Sequence, residues 1–284
     1  LHAELFFFEG QFLSLGIEKI MKLKSFFLLA IILAPSLSFA WRCRAEKVDV
    51  LAIGDSQTGT PNSKSYFGNF LQHCLKEKGE RFVTYGRGGT RPIHWLDNAD
   101  MDLVTTIQRD NLNEEKNIGW GKMVPLCKRR LAPMLRRHSP QKVLVFFGDN
   151  LLLHPQDYIA SQAKKMVEVI RSYGVPFHKC FFLTPTYEME VESQRNMPGK
   201  NIENTKAVNA IIKAAVSDKC QFIDGLELME NSPYLLESKL FKRSQPQGQT
   251  DCFGKSANDN IHFCGDAAQE MANKVCEIVD SISP

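Results

Sequence analysis

Five short apolar runs punctuate this chain, at residues 48–53, 81–85, 142–147, 178–183 and 220–224. Two of them, Lys142-Val143-Leu144-Val145-Phe146-Phe147-Gly148 and Lys179-Cys180-Phe181-Phe182-Leu183-Thr184-Pro185, are nearly unbroken. A strand with one wet face alternates polar and apolar residues. An unbroken run needs cover on both faces, which is the condition of a strand inside a parallel sheet. Helical spacing fills the gaps. Phe67, Phe70, Leu71, Cys74 and Leu75 recur at three and four, as do Ile159, Ala163, Met166, Val167 and Ile170. Val208, Ile211, Ile212, Ala215 and Val216 make a third stripe, and Ala268, Met271, Ala272, Val275 and Val279 a fourth. Strand–helix alternation of this kind predicts a three-layer α/β/α domain around a five-stranded parallel sheet. Residues 92–140 are long for one crossover; they hold Trp95 and Trp120 and end in a predicted helix near 121–137. Residues 230–258, rich in Pro, Gln, Ser and Gly, read as a surface loop before the last helix.

The first forty residues read differently. Met21-Lys22-Leu23-Lys24 is a basic start, residues 26–33 are apolar, and Pro35 and Ser38-Phe39-Ala40 follow. That is the layout of a secretory signal peptide cleaved after Ala40. Its apolar block is too short to span a bilayer comfortably. Residues 1–20 read as an extension upstream of a better start at Met21, which leaves 41–284 as the folded domain, exported to the periplasm or beyond. All eight cysteines (43, 74, 127, 180, 220, 252, 264 and 276) lie in that domain, and an even number in an exported chain predicts disulfides. Cys180 and Cys220 each open a predicted strand, so neighbouring parallel strands would bring them together. Cys252 and Cys264 bracket a short loop, whose closure would stabilise by ~3 kcal/mol. No Cys-x-x-Cys or His-x-x-x-His pair suggests a metal. The net charge of +3, with no dense Lys/Arg stripe interleaved with aromatics, speaks against a nucleic-acid partner. Lys128-Arg129-Arg130 and Arg136-Arg137 read as a solvated helix face.

In parallel α/β sheets, ligands sit beyond the carboxyl ends of the strands. The first run ends in Gly54-Asp55-Ser56, where the strand is expected to give way to a helix. The second ends in Tyr85-Gly86-Arg87-Gly88-Gly89-Thr90, the third in Gly148-Asp149-Asn150, and Asp259-Asn260-Ile261-His262 precedes the last helix. Ser is a weak nucleophile without a base in reach. His262 can be that base, with Asp259, three residues earlier, orienting the imidazole. The developing oxyanion needs donors. Ser56 N–H, a glycine N–H from 86–89 and the Asn150 amide can supply them. His94, His154 and His178 read as ordinary surface or core histidines.

These blocks, in this order and spacing, resemble the SGNH (GDSL-like) hydrolases, exported bacterial type, over about 215 residues (Gly54 to His262 and its flanks). The resemblance implies a flavodoxin-like fold, ester hydrolysis through an acyl-Ser intermediate, and no cofactor or metal. It implies Ser56, Asp259 and His262 as catalytic residues, and Ser56, Gly89 and Asn150 as the oxyanion hole; the choice of Gly89 among the glycines rests on it. Leu151 stands where the family often has Asp, and Phe263-Cys264 where it often has Pro. The expected substrate is a short acyl ester, acetyl above all, on a cell-wall or extracellular glycan, with Arg91 and Trp95 as candidate contacts; Trp95 and Trp120 read equally as core packing. A lipid esterase or thioesterase, a glycan-binding module and an acyl-transfer protein are the alternatives. No stable membrane insertion is expected.

Overall fold

Each of the five apolar runs is a strand. The structure, a computed structural model, describes residues 45–58, 67–96, 106–110, 116–117, 130–185, 202–232 and 265–282. The signal peptide and upstream extension, Trp120, the Cys252–Cys264 pair, Asp259 and His262 lie outside these described residues. In chain order the elements are β1 (Val50–Gly54), α1 (Phe67–Glu77), β2 (Phe82–Arg87), α2 (Pro92–Leu96), β3 (Thr106–Asp110), β4 (Lys116–Asn117), α3 (Leu131–His138) and β5 (Lys142–Phe146). Then come α4 (Gln156–Ser172), β6 (Cys180–Leu183), α5 (Ile202–Val216), β7 (Gln221–Ile223), α6 (Gly225–Leu228) and α7 (Gly265–Asp280).

The sheet runs β4-β3-β2-β1-β5-β6-β7. From β2 to β7 every pairing is parallel, with Gly54 opposite Gly86 on one side and Phe146 on the other. The parallel strands alone follow the order second, first, third, fourth, fifth, which is the flavodoxin-like doubly wound order. The expected five-stranded sheet is therefore the parallel part of a seven-stranded one. β3 and β4 add an antiparallel edge beside β2, drawn from the long segment after α2.

Successive strand residues point to opposite faces and build two cores. Leu51, Ile53, Tyr85, Val143, Val145 and Phe182 pack with Trp95, Met134, Met166, Ile170 and Ile212. Val50, Ala52, Phe82, Leu144, Phe146 and Phe181 pack with Phe67, Leu71, Met271 and Val275. One helical layer is thus α2 to α5 and the other α1 with α7, which gives the three layers. Two disulfides join described elements within these layers. Cys180–Cys220 joins β6 to the residue before β7, with Cα atoms 4.7 Å apart, as the strand adjacency predicts. Cys74–Cys276, with Cα atoms 6.3 Å apart, joins α1 to α7 and was not anticipated. No described helix is long and apolar enough to cross a membrane.

Candidate active site

The doubly wound order reverses direction at β1, so the crevice opens between the carboxyl ends of β1 and β5. β1 delivers Asp55 and Ser56 to it, and β5 delivers Asp149 and Asn150. The helix does not follow Ser56 at once. Asp55 Oδ1 accepts the Gln57 N–H at 2.9 Å and Asp55 O accepts the Thr58 N–H at 3.2 Å, closing a turn. A short polar side chain that captures the N–H two residues on favours a turn over a helix. Gly54 lets this turn fold back on the strand. A Cβ there would lie 1.7 Å from Thr58 Oγ1 and 2.9 Å from Phe146 O. Ser56 is half-buried, and a Cβ placed on Gly88 would stand 3.9 Å from Ser56 Cβ. The candidate nucleophile thus lies against the loop that carries the glycines.

Asn150 ties three strand ends together. Its Nδ2 donates to Asp55 Oδ2 at 3.2 Å and to the Thr90 carbonyl at 3.1 Å. Both partners are pure acceptors, which fixes the amide with nitrogen toward them. Gln57 Nε2 donates to Asp149 Oδ2, adding a second link between the β1 and β5 loops. Asp55, Gln57, Thr90 and Asp149 are all buried, so these bonds form away from water, where they are hardest to replace. Gly89 adopts φ +67° with open space around its Cα, and it is exposed. Glycine adopts such a left-handed turn without a steric penalty.

Of the two roles open to Trp95, the structure gives it core packing and not a substrate contact. It is fully buried, its Nε1 donates to Thr90 Oγ1 at 3.1 Å, and its ring packs near Phe147. Thr90 Oγ1 in turn donates to the Arg87 carbonyl at 2.8 Å, and the Arg87 guanidinium lies 5.4 Å from the indole centroid. The indole therefore braces the Arg87–Thr90 loop from below, where an apolar ring with one N–H donor fits.

Arg91 remains at the surface of the same loop, half-buried, in a cluster that the sequence had not joined. Its backbone N–H donates to His94 Nδ1 at 3.0 Å, so the third helical residue reaches back to cap α2. Its Nη1 donates to His154 Nε2 at 2.7 Å, and its guanidinium sits 5.7 Å from the Tyr158 centroid. Burial, then the Arg91 and Arg87 charges, push His94 down to about 4; burial and Arg91 also lower His154. Both imidazoles are neutral at ordinary pH. His94 stands three residues past Arg91, but His154 comes from the far side of β5, and that meeting follows only from the sheet order.

Among the described residues, no group of three or more His, Cys, Asp or Glu side chains could hold a metal. No family model matches the sequence, and no curated protein matches it. Solved structures do. A Streptococcus pneumonia protein titled as a platelet activating factor superposes with a TM-score of 0.52 at 13% identity, over 89% of this chain and 99% of its own. An aryl esterase from M. Smegmatis superposes with a TM-score of 0.52 at 16% identity, over 84% of this chain and 100% of its own. At these identities the likeness is one of fold: the chain shares the three-layer α/β/α fold of those two proteins.

Proposed function

We propose that this chain is an exported serine esterase of the SGNH type that removes a short acyl group, acetyl above all, from a glycan. The observation that carries the reading is the position of Ser56. It is a half-buried hydroxyl at the carboxyl end of the central strand, at the switch point, against the Gly88-Gly89 turn and beside the loop held by Asn150. Shared fold with an aryl esterase agrees with it. The basic and then apolar pattern of residues 21–40 supports export, and the two disulfides among the described residues suit an oxidising compartment.

In this reading Ser56 Oγ attacks the ester carbonyl carbon while His262 takes the hydroxyl proton, and Asp259 holds the imidazole. The carbonyl oxygen becomes an oxyanion facing the N–H groups of Ser56 and Gly89 and the Asn150 amide. Asn150 releases its longer bond, to Asp55, to meet it. Collapse breaks the C–O bond to the alcohol, which leaves with the proton from His262. Water then attacks the acyl-Ser carbon, gives one proton to His262, and the free acid departs as Oγ regains that proton. The test is hydrolysis of p-nitrophenyl acetate and of acetylated glycans by the mature chain. Ser56→Ala and His262→Ala should each lower kcat by about 10³-fold or more with the fold intact by circular dichroism. Full activity in either variant overturns the mechanism.

A further inference from the structure

Two N–H donors in the Arg91 cluster converge. Because the Arg91 backbone N–H donates to His94 Nδ1, that nitrogen carries no proton, and the neutral ring holds its proton on Nε2. Nε2 lies 3.4 Å from Arg91 Nη2, which also carries only protons. The two groups cannot bond to each other. They can both donate to one acceptor oxygen placed between them. The guanidinium is held in that attitude by Nη1 on His154 and by the Tyr158 ring, and His94 is held by its capping bond. Among the described residues no carboxylate pairs with Arg91. Arg91, His94, His154 and Tyr158 are all half-buried, open enough for a ligand yet shaped by the fold.

We propose that Arg91 and His94 form a carboxylate subsite beside the reaction centre, and that the acyl ester cleaved at Ser56 sits on an acidic sugar. The second half rests on the esterase reading; the first does not. Position supports the link. Arg91 is two residues past Gly89, a span of at most about 7 Å, and His154 is four residues past Asn150. A sugar whose ester carbonyl lies at Ser56 can therefore carry its carboxylate to the cluster. One cation among neutral imidazoles matches a monoanion better than a doubly charged phosphate. Arg87, buried 5.4 Å from the Trp95 centroid, adds positive field from beneath.

The experiment follows the His94 imidazole resonance, identified by its loss in His94→Gln, in the wild-type chain at pH 6. D-glucuronate, D-glucose and inorganic phosphate are added separately. Glucuronate should move the resonance to saturation and raise its titration midpoint by about one pH unit, because an adjacent anion favours the imidazolium. Glucose should do neither, and Arg91→Gln should weaken glucuronate binding about tenfold or more. Equal responses to glucuronate and glucose, or none, overturn the subsite, and tighter binding of phosphate than of glucuronate overturns its assignment to carboxylate. An acetylated glucuronic acid should be cleaved with kcat/KM about tenfold above its methyl ester, and equal values overturn the acidic-sugar assignment. Glucuronate has no ester to cleave, so a chain inert toward esters whose His94 still answers to glucuronate would refute the esterase reading and leave the subsite standing.

Discussion

Asn150 commits both protons of its amide to the protein, one to Asp55 and one to the Thr90 carbonyl. In the proposed mechanism, catalysis and structure therefore compete for one nitrogen. Replacing it with Ala should lower kcat for p-nitrophenyl acetate by about 10²–10³-fold, the usual effect of losing one oxyanion donor. Asn150→Asp sets a second carboxylate against Asp55, and its melting temperature should fall below that of the Ala variant, because like charges in a buried site repel. Gly54 is constrained by space. Gly54→Ala drives a methyl into Thr58 Oγ1 and the Phe146 carbonyl, and urea denaturation should show a loss of about 1–3 kcal/mol. His94 governs a pH window. Its folded pKa, about 4, lies below the ordinary 6.5, so the fold favours the neutral ring. That contribution is complete above pH 6.5 and is lost as pH falls from there through about 4. The fall in melting temperature between pH 7 and pH 5 should be smaller in His94→Asn than in the wild type.

At the level of elements, the parallel strands were legible because burial on both faces leaves an unbroken apolar trace, as in Lys142–Phe146. β3 left no such trace. Thr106-Ile107-Gln108-Arg109-Asp110 is a largely polar stretch one strand in from the edge, and it is recognisable only by its pairing with β2 and β4. The Cys180–Cys220 link was legible because strand adjacency is local knowledge; Cys74–Cys276 depends on which helix lies beside which across the outer face. Ser56 and Asn150 could be picked out because each follows the end of a predicted strand, and Gly89 only through the family resemblance, whereas the Arg91 cluster required knowing that α2 and α4 meet. Their meeting is fastened by Gln162 of α4, whose Oε1 accepts the Ile93 N–H at 3.1 Å. Trp95 shows the limit of composition: an aromatic next to arginines fitted a sugar wall and the core equally, and its ring belongs to the core. Trp95→Phe should cost about 1 kcal/mol through the lost bond to Thr90, read as a shift of the urea midpoint.

For the whole molecule, the candidate site lies at the carboxyl edge of the sheet, and the described disulfides lie elsewhere, one between α1 and α7 and one at the amino ends of β6 and β7. The Cys74–Cys276 bond closes a loop of 202 residues, for which chain entropy alone predicts about 5 kcal/mol. Removing it as Cys74→Ser/Cys276→Ser should lower unfolding free energy by about 2–5 kcal/mol while leaving the far-ultraviolet spectrum of the α/β/α layers unchanged. The smaller Cys180–Cys220 loop lies wholly inside the larger one. Seen as a covalent graph, everything from Cys74 to Cys276 is a ring with a second ring nested in it. A protease that cuts once anywhere along that ring opens it but severs nothing: the two pieces stay one molecule until a reductant parts them.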